Sequence, residues 1–299
     1  MKRFMLPSIL IVCGLNIFGH AQDFSKIRVT TIPLGDSIYM LATRAGGNLA
    51  VCAGEDGVFL VDSDYKELFE KIESAIAAIS DKPVRYVVNT HWHFDHVGGN
   101  EGFAKKGSTL VAHKNVLERL ASDQHIGILD IDVPASPESA QPKITYSETM
   151  TFHLNGEEIT ITHVPNAHTD GDGIVHFKKA NVIHTGDIVF NRMYPFIDVS
   201  SGGSIDGMIA AVEAILKRCD DKTRIIPGHG PLSSKAELET YGDMLQEFRD
   251  AVAGEIAAGN DLKAVQTSKA VTDLGEKWRR THFSLTQFTE MIYKSLCKQ

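Results

Sequence analysis

Short apolar segments separated by Gly, Asn and Asp dominate the first half of the chain, and such segments are typical of β-strands. They predict strands at residues 27–32, 38–42, 49–53, 58–62, 84–88 and 109–112. Residues 65–79 instead carry apolar side chains at helical spacing, and Pro83 closes this predicted helix. The hydrophobic segment 84–88 suits a buried strand, and a short helix is expected after residues 98–100.

The second half repeats this style. Residues 150–154 and 158–164 predict a hairpin around Asn155-Gly156, and further strands are expected at 173–178, 181–184 and 224–226. Residues 205–217 have one apolar face, and 236–258 is the longest helical candidate. The proline-rich stretch 133–142 reads as a surface loop between the halves. This order predicts an α+β fold of two mixed sheets packed face to face with helices outside.

The N-terminus has the layout of a secretory signal peptide. Lys2 and Arg3 precede an apolar stretch, and Gly19-His20-Ala21 offers small residues before a cut. The stretch is shorter than the ~20 residues of a spanning helix, so no stable membrane insertion is expected. Lipid attachment at Cys13 is a third alternative. We expect residues 1–21 to be removed and a secreted or periplasmic domain, 22–299, to remain, with a helical portion from about 234 to 299.

Composition narrows the function classes. The mature chain has 278 residues and a formal charge of −10 instead of −8, because Lys2 and Arg3 leave with the signal. An acidic chain argues against nucleic acid as a partner. The three remaining cysteines do not form a disulfide framework, although one bridge is possible; they are Cys52, Cys219 and Cys297. Nothing in the sequence indicates the oligomeric state.

Residues 90–99, Thr-His-Trp-His-Phe-Asp-His-Val-Gly-Gly, carry the chemistry. Imidazole and carboxylate are the ligands that Zn²⁺ prefers when cysteine is absent. His91 and His93 alternate along an extended loop, so both rings point to one side and can bind one ion. Asp95 and His96 follow after the chain turns and can reach a neighbouring ion. The loop comes directly after predicted strand 84–88, where α/β folds often carry function.

Three later loops offer one further ligand each. His168 follows the strand that ends at residue 164, Asp187 follows the strand that ends at 184, and His229 follows the strand that ends at 226. Each lies in a turn framed by Gly or Pro, where glycine lets the backbone approach closely. Loops at the same end of parallel or mixed strands can converge on one point.

The Thr-His-x-His-x-Asp-His-x-Gly-Gly run, followed in order by the His, Asp and Gly-His turns, resembles the metallo-β-lactamase superfamily. The resemblance covers the mature chain to about residue 232. It implies an αββα sandwich with a metal site at one sheet edge. By position, it implies a first zinc held by His91, His93 and His168. It implies a second zinc held by Asp95, His96 and His229. Asp187 would bridge both ions, as in glyoxalase II.

Two zinc ions ~3.5–4 Å apart would share a hydroxide and lower the pKa of water towards ~7, so that it attacks at neutral pH. Asp95 would hold this nucleophile in line or pass its proton to the leaving group. The leading expectation is an exported binuclear zinc hydrolase of small molecules with an acyl bond: a β-lactam, lactone or ester. Asp187 excludes the lactamases with Cys at that position.

Alternatives stay open. A glyoxalase II-like thioesterase has a similar ligand set, although Lys235, Arg249 and Lys263 form no basic cluster for glutathione. A non-catalytic zinc-binding protein is less favoured, because structural zinc sites usually have four ligands with Cys prominent. A phosphodiesterase is weaker still, because no basic phosphate-binding patch is evident. Iron is less expected than zinc, since flavo-diiron proteins place Glu where His93 stands.

The other histidines are expected to be structural or exposed. A hydrogen-bonded role on or beside strands is expected for His113, His153, His163, His176 and His184, with His113 and His184 also candidates to support ligands. We expect His125 and His282 at the surface. The segment Met193-Tyr194-Pro195-Phe196 either lines a substrate pocket or packs in the core.

Overall fold

The computed structural model describes residues 23–35 and 37–298, so the predicted signal peptide lies outside the described residues. The strands, in chain order, are β1 (Thr30–Pro33), β2 (Ile38–Ala42), β3 (Leu49–Gly54), β4 (Gly57–Val61), β5 (Val84–Val88), β6 (Thr109–His113), β7 (Gln124–Ile126), β8 (Ile131–Val133), β9 (Ile144–Tyr146), β10 (Thr149–Leu154), β11 (Glu157–Val164), β12 (Asp172–Phe177), β13 (Val182–His184), β14 (Arg224–Ile226) and β15 (Ser233–Ser234). The helices are α1 (Phe69–Ala77), α2 (Phe94–Val97), α3 (Asn100–Lys105), α4 (Lys114–Leu120), α5 (Ile205–Leu216), α6 (Lys235–Ala257), α7 (Leu262–Thr267), α8 (Lys269–Trp278) and α9 (Leu285–Cys297).

Two mixed sheets form the centre of the fold. The first has the order β1-β2-β3-β4-β5-β6-β9, antiparallel as far as β4 and parallel from β4 onwards. The second has the order β10-β11-β12-β13-β14-β15, with β13 and β14 parallel and the other pairs antiparallel. A separate hairpin pairs β7 with β8.

Successive side chains of a strand point to opposite faces of its sheet, and in both sheets each face packs against an apolar cluster. In β4, Phe59 and Val61 point into a core shared with Ile161 and Phe177 of the second sheet. Leu60, between them, joins a different cluster with α1 and α3. The near-continuous apolar strands of the sequence therefore belong to a sheet covered on both sides.

Helices form the two outer layers. Helix α1 places Ile72 and Ile76 on the first sheet, and burial of each side chain contributes roughly 1.5–3 kcal/mol. Helices α5, α6 and α9 cover the second sheet through a large apolar cluster. Ser234 begins α6 in a capping box with Glu237, which satisfies its first-turn amides. The predicted αββα sandwich is confirmed.

Some boundaries differ from the sequence prediction. The first strand begins at Thr30 and not at residue 27, and the predicted helix 65–79 consists of a 3₁₀ turn, Lys66–Leu68, followed by α1. Hairpin β7–β8 was not predicted. The three described cysteines are free. Among the described residues, no helix is both long enough and apolar enough to span a bilayer.

Candidate metal centre

The four predicted ligand loops meet at one edge of the sandwich. In the first sheet, β4 and β5 are parallel, and the His91–His96 loop follows the carboxyl end of β5. In the second sheet, β11, β13 and β14 run in the same direction, because each of two successive antiparallel steps reverses the strand. Their carboxyl ends lead to His168, Asp187 and His229. Both sheets therefore contribute side chains to one centre.

Close packing fixes the shape of the first loop. Asn89 donates to Asn100 Oδ1 at 3.0 Å, and Asn100 donates back to Asn89 Oδ1 at 2.9 Å, which ties the two ends of the loop together. A Cβ on Gly98 would lie only 2.6 Å from the backbone nitrogen of Lys66, so glycine is needed there. His91 and His93 precede α2, whereas Asp95 and His96 lie on it. The turn expected after His93 is this helix.

One cluster comprises His91, His93, His168 and Asp187, whose possible ligand atoms lie within 4.8 Å of one another. His93 Nδ1 is 2.9 Å from His168 Nε2. Asp187 Oδ2 lies 3.6 Å from His168 Nε2 and 3.8 Å from His91 Nε2. The three imidazoles are those predicted for a first ion.

A second cluster comprises Asp95, His96 and His229. His229 Nε2 is 3.3 Å from Asp95 Oδ2 and 3.3 Å from Asp187 Oδ2. Asp187 Oδ1 is 3.1 Å from His96 Nε2. The Asp187 carboxylate thus contacts both clusters, which is the position that a bridging ligand requires. The structure brings all seven predicted residues together; their role as ligands stays a prediction.

In four of these imidazoles, one ring nitrogen has a hydrogen-bond partner outside the proposed ligand set. The pairs are His91 Nδ1 with Thr90 Oγ1 at 3.1 Å, His93 Nε2 with Asp198 Oδ2 at 3.0 Å, His96 Nδ1 with Asp62 Oδ2 at 2.8 Å, and His168 Nδ1 with the Phe196 carbonyl at 2.8 Å. Such support fixes tautomer and ring orientation in metal sites. The inward atoms His91 Nε2, His96 Nε2 and Asp187 Oδ1 are buried and form no well-aligned hydrogen bond with any described residue, although the last two lie 3.1 Å apart. Unpaired inward imidazole nitrogens and a carboxylate oxygen can offer lone pairs to a bound cation.

Electrostatics in this centre separates the histidines into two groups. Burial lowers the pKa of His168 to about 4 and that of His91 well below its usual range. Burial also opposes the charged form of His229, but Asp187 and Asp95 raise its pKa to about 10. The same balance raises the pKa of His96. The carboxylates thus favour positive charge at this point of the centre, which a bound metal cation would supply.

Two supporting residues were missed by the sequence reasoning. Asp62 follows the carboxyl end of β4, so the rule that located the ligand loops could have found it. Asp198 lies after the Met193–Phe196 segment, and no local signal marks it. His184, a candidate for support, accepts from Gly186 N at 3.1 Å, beside Asp187.

The centre opens into a large, mainly apolar cavity of about 1180 Å³. Its walls include Met193 and Phe196, so the pocket-lining alternative for that segment is confirmed for these two residues. Hairpin β7–β8 contributes Ile126 and Ile131. His282, exposed as expected, also lines the cavity. Its ring lies 5.7 Å from that of His229, which the sequence did not indicate.

Comparison with known proteins identifies the class. The model of the metallo-β-lactamase superfamily matches residues 43–229. The metallo-beta-lactamase type 2 of Elizabethkingia meningoseptica is 21% identical over 255 residues, which cover 83% of this chain and 95% of that protein. A hydroxyacylglutathione hydrolase of Pelagibacter ubique is 26% identical over 158 residues, 52% of this chain and 56% of its own.

Solved structures show the same fold. A metallo-beta-lactamase from Pontibacter korlensis superposes with a TM-score of 0.61 at 18% identity, covering 73% of this chain and 99% of that one. The stereoselective inverting sec-alkylsulfatase Pisa1 from Pseudomonas sp. has a TM-score of 0.66 at 16% identity and covers 89% of this chain and 50% of its own.

The fold and the His/Asp centre define a metal-dependent hydrolase of the αββα type. The chain belongs to the metallo-β-lactamase superfamily. The metal that this family and this donor set imply is divalent, typically zinc.

Proposed function

We propose that this protein is an exported hydrolase with two zinc ions, acting on the acyl bond of a β-lactam, lactone or ester. The observation that carries the proposal is the position of Asp187 between the two clusters, 3.1 Å from His96 Nε2 and 3.6 Å from His168 Nε2. One carboxylate shared by two sets of imidazoles suits two ions better than one closed structural site. Export rests on the layout of residues 1–21.

His91, His93 and His168 would hold one ion, and Asp95, His96 and His229 the other, with Asp187 shared. When bound, the pair supplies an activated water nucleophile and polarises the substrate carbonyl. Asp95 also lines the cavity that opens from the centre. We assign to Asp95 the orientation of the attacking water and the transfer of a proton to the leaving group. The apolar walls restrict bulk water around the reacting bond.

A substrate panel with purified, zinc-loaded protein tests this proposal. We expect turnover of at least one of nitrocefin, an acyl-homoserine lactone and an aryl ester, with two zinc ions per chain by elemental analysis. His91→Ala should abolish that turnover, whereas the surface control His125→Ala should retain it. A chain that binds two zinc ions and hydrolyses none of the three would contradict the acyl-bond proposal.

The thioesterase alternative is tested in the same panel. A relative named hydroxyacylglutathione hydrolase matches about half of the chain. Hydrolysis of S-lactoylglutathione at a higher kcat/KM than any panel substrate would favour it. A His91→Ala variant with unchanged hydrolysis of every substrate would favour a non-catalytic zinc protein.

A further inference from the structure

Arg44 is a cationic side chain of the cavity lining that has no partner among the described residues. Arg44 lies on the turn between β2 and β3 and lines the same cavity as Asp95 and Asp187. Among the described residues of that lining, it is the one lysine or arginine. Its guanidinium is exposed, and none of the described residues forms an ion pair or a hydrogen bond with it. A guanidinium left free beside a binding centre is available to a ligand.

The turn that carries Arg44 is fixed on its N-terminal side. Thr43 Oγ1 accepts from the backbone nitrogens of Ala45 and Gly46 at 3.2 and 3.3 Å. The same hydroxyl donates to Asp64 Oδ2 at 2.7 Å. This arrangement holds Arg44 at φ +60°, a conformation that residues with a Cβ seldom adopt. The backbone conformation at Arg44 is therefore defined by the turn.

The C-terminal side of the turn is tied to the candidate ligand loops. Gly47 N donates to the Asp95 carbonyl at 3.2 Å, and Asn48 N donates to the Gly228 carbonyl at 2.7 Å. Since a chain spans at most about 3.6 Å per residue, the Cα of Arg44 lies within about 11 Å of that of Gly47. The backbone that carries Arg44 is therefore tied to two of the candidate ligand loops.

The rest of the lining is mainly hydrocarbon. Apolar side chains come from both sheets' edges, the β7–β8 hairpin and the C-terminal part; they include Ile32, Met40, Leu129, Ile131, Met193 and Phe283. A ligand that fills this space is thus an apolar body with one anionic group for Arg44. Guanidinium matches a planar carboxylate through two parallel N–H···O bonds.

We propose that Arg44 binds a carboxylate of the substrate while the apolar walls hold its hydrocarbon part, so that this hydrolase selects acyl compounds with a free carboxylate. The proposal rests on the proposed function for the site of reaction, but the binding of the carboxylate is separable from it. Arg44 is a specificity-determining residue and takes no part in the chemical step.

A matched pair of esters tests the selection. The mono-4-nitrophenyl ester of adipic acid ends in a carboxylate, and 4-nitrophenyl hexanoate ends in a methyl group at the same position. We expect Arg44→Gln to lower the acid-to-neutral ratio of kcat/KM by at least about tenfold, mainly through KM, and Arg44→Lys to lower it less. Arg218→Gln, which removes an exposed charge at the end of α5, should leave the ratio unchanged.

Calorimetry with the corresponding anilides, adipic acid monoanilide and hexananilide, separates this proposal from the hydrolase proposal. Arg44→Gln should weaken binding of the acid anilide by about tenfold relative to the neutral anilide. If neither these esters nor any of the three panel substrates is hydrolysed but this difference is observed, the hydrolase proposal fails and the carboxylate site stands. If the wild-type protein binds both anilides equally, or if Arg44→Gln lowers binding of both equally, the carboxylate site is overturned.

Discussion

Asp62 is expected to control zinc affinity without touching the metal. Its carboxylate is fully buried and accepts three hydrogen bonds: from Thr90 N at 2.7 Å and Thr90 Oγ1 at 2.8 Å, and from His96 Nδ1 at 2.8 Å. Because Nδ1 donates to Asp62, the proton of neutral His96 stays on that nitrogen. Nε2 then keeps a lone pair directed at the centre.

Replacement by asparagine, Asp62→Asn, keeps the shape and removes one acceptor. If the amide oxygen takes the bond from Thr90 N, the amide NH₂ faces His96 Nδ1, and the imidazole proton moves to Nε2. The opposite orientation leaves the buried Thr90 N–H unpaired, at a cost of about 1–3 kcal/mol. Loss of such a supporting carboxylate typically weakens metal binding by about 10–100-fold, or about 1.4–2.8 kcal/mol.

Competition titration against a chromophoric zinc chelator at pH 7.5 measures this loss. The site that contains His96 should weaken by about 10–100-fold. The site of His91, His93 and His168 should weaken less, because Asp62 reaches His91 only through Thr90 Oγ1. Asp132→Asn is the matched control, because exposed Asp132 bonds the exposed His125 at 2.8 Å, and neither residue is a candidate ligand. Superimposable wild-type and Asp62→Asn isotherms would refute the reasoning, as would equal weakening of both sites.

Three further outcomes are expected. Gly228→Ala should lower zinc affinity, because a Cβ there collides with Asp187 Oδ1; Gly254→Ala, in open space within α6, should leave zinc affinity unchanged and raise the melting temperature. Removal of zinc with a chelator should abolish hydrolysis, and added zinc should restore it. The melting temperature without zinc should be roughly 10 °C lower than with zinc at 1,000 times Kd. Burial and neighbouring His163 lower the pKa of His113 to about 4, so the unfolded chain binds more protons below pH 6.5 and stability falls from there towards pH 4. The free energy of unfolding, measured in urea, should change less between pH 7 and pH 5 in His113→Phe than in the wild type. An unchanged pH dependence would contradict this.

Periodicity and strand ends predicted much of this molecule. The limits of β2, β5 and β14 agree with the expected strands, since each lies between clear turn residues. All three later ligand loops were located by one rule, a polar residue directly after a strand. That rule works because equally directed strands end at the same sheet edge.

Other features depend on contacts between distant residues. The strands of hairpin β7–β8 have three residues each, which is too short to show an alternating apolar pattern. The hairpin is positioned by the packing of Ile126 in the core. His282 lies beside His229 where the neighbouring Thr281 pairs with Met193, a contact between distant parts of the chain. The partnership of Asp198 with His93 joins positions 105 residues apart. None of these three features is marked by a local sequence pattern.

The two sheets each supply part of the centre, and this has a consequence for assembly. His91 to His96 come from the first half of the chain, whereas His168, Asp187 and His229 come from the second. Ions bound between them would act as a cross-link that closes a chain segment of more than 70 residues. Disulfides have this stabilising role in many secreted proteins. Among the described residues, the three cysteines are free and no such bridge is present. Bound zinc would thus stabilise the contact between the two halves of the chain at the same site where it supports hydrolysis.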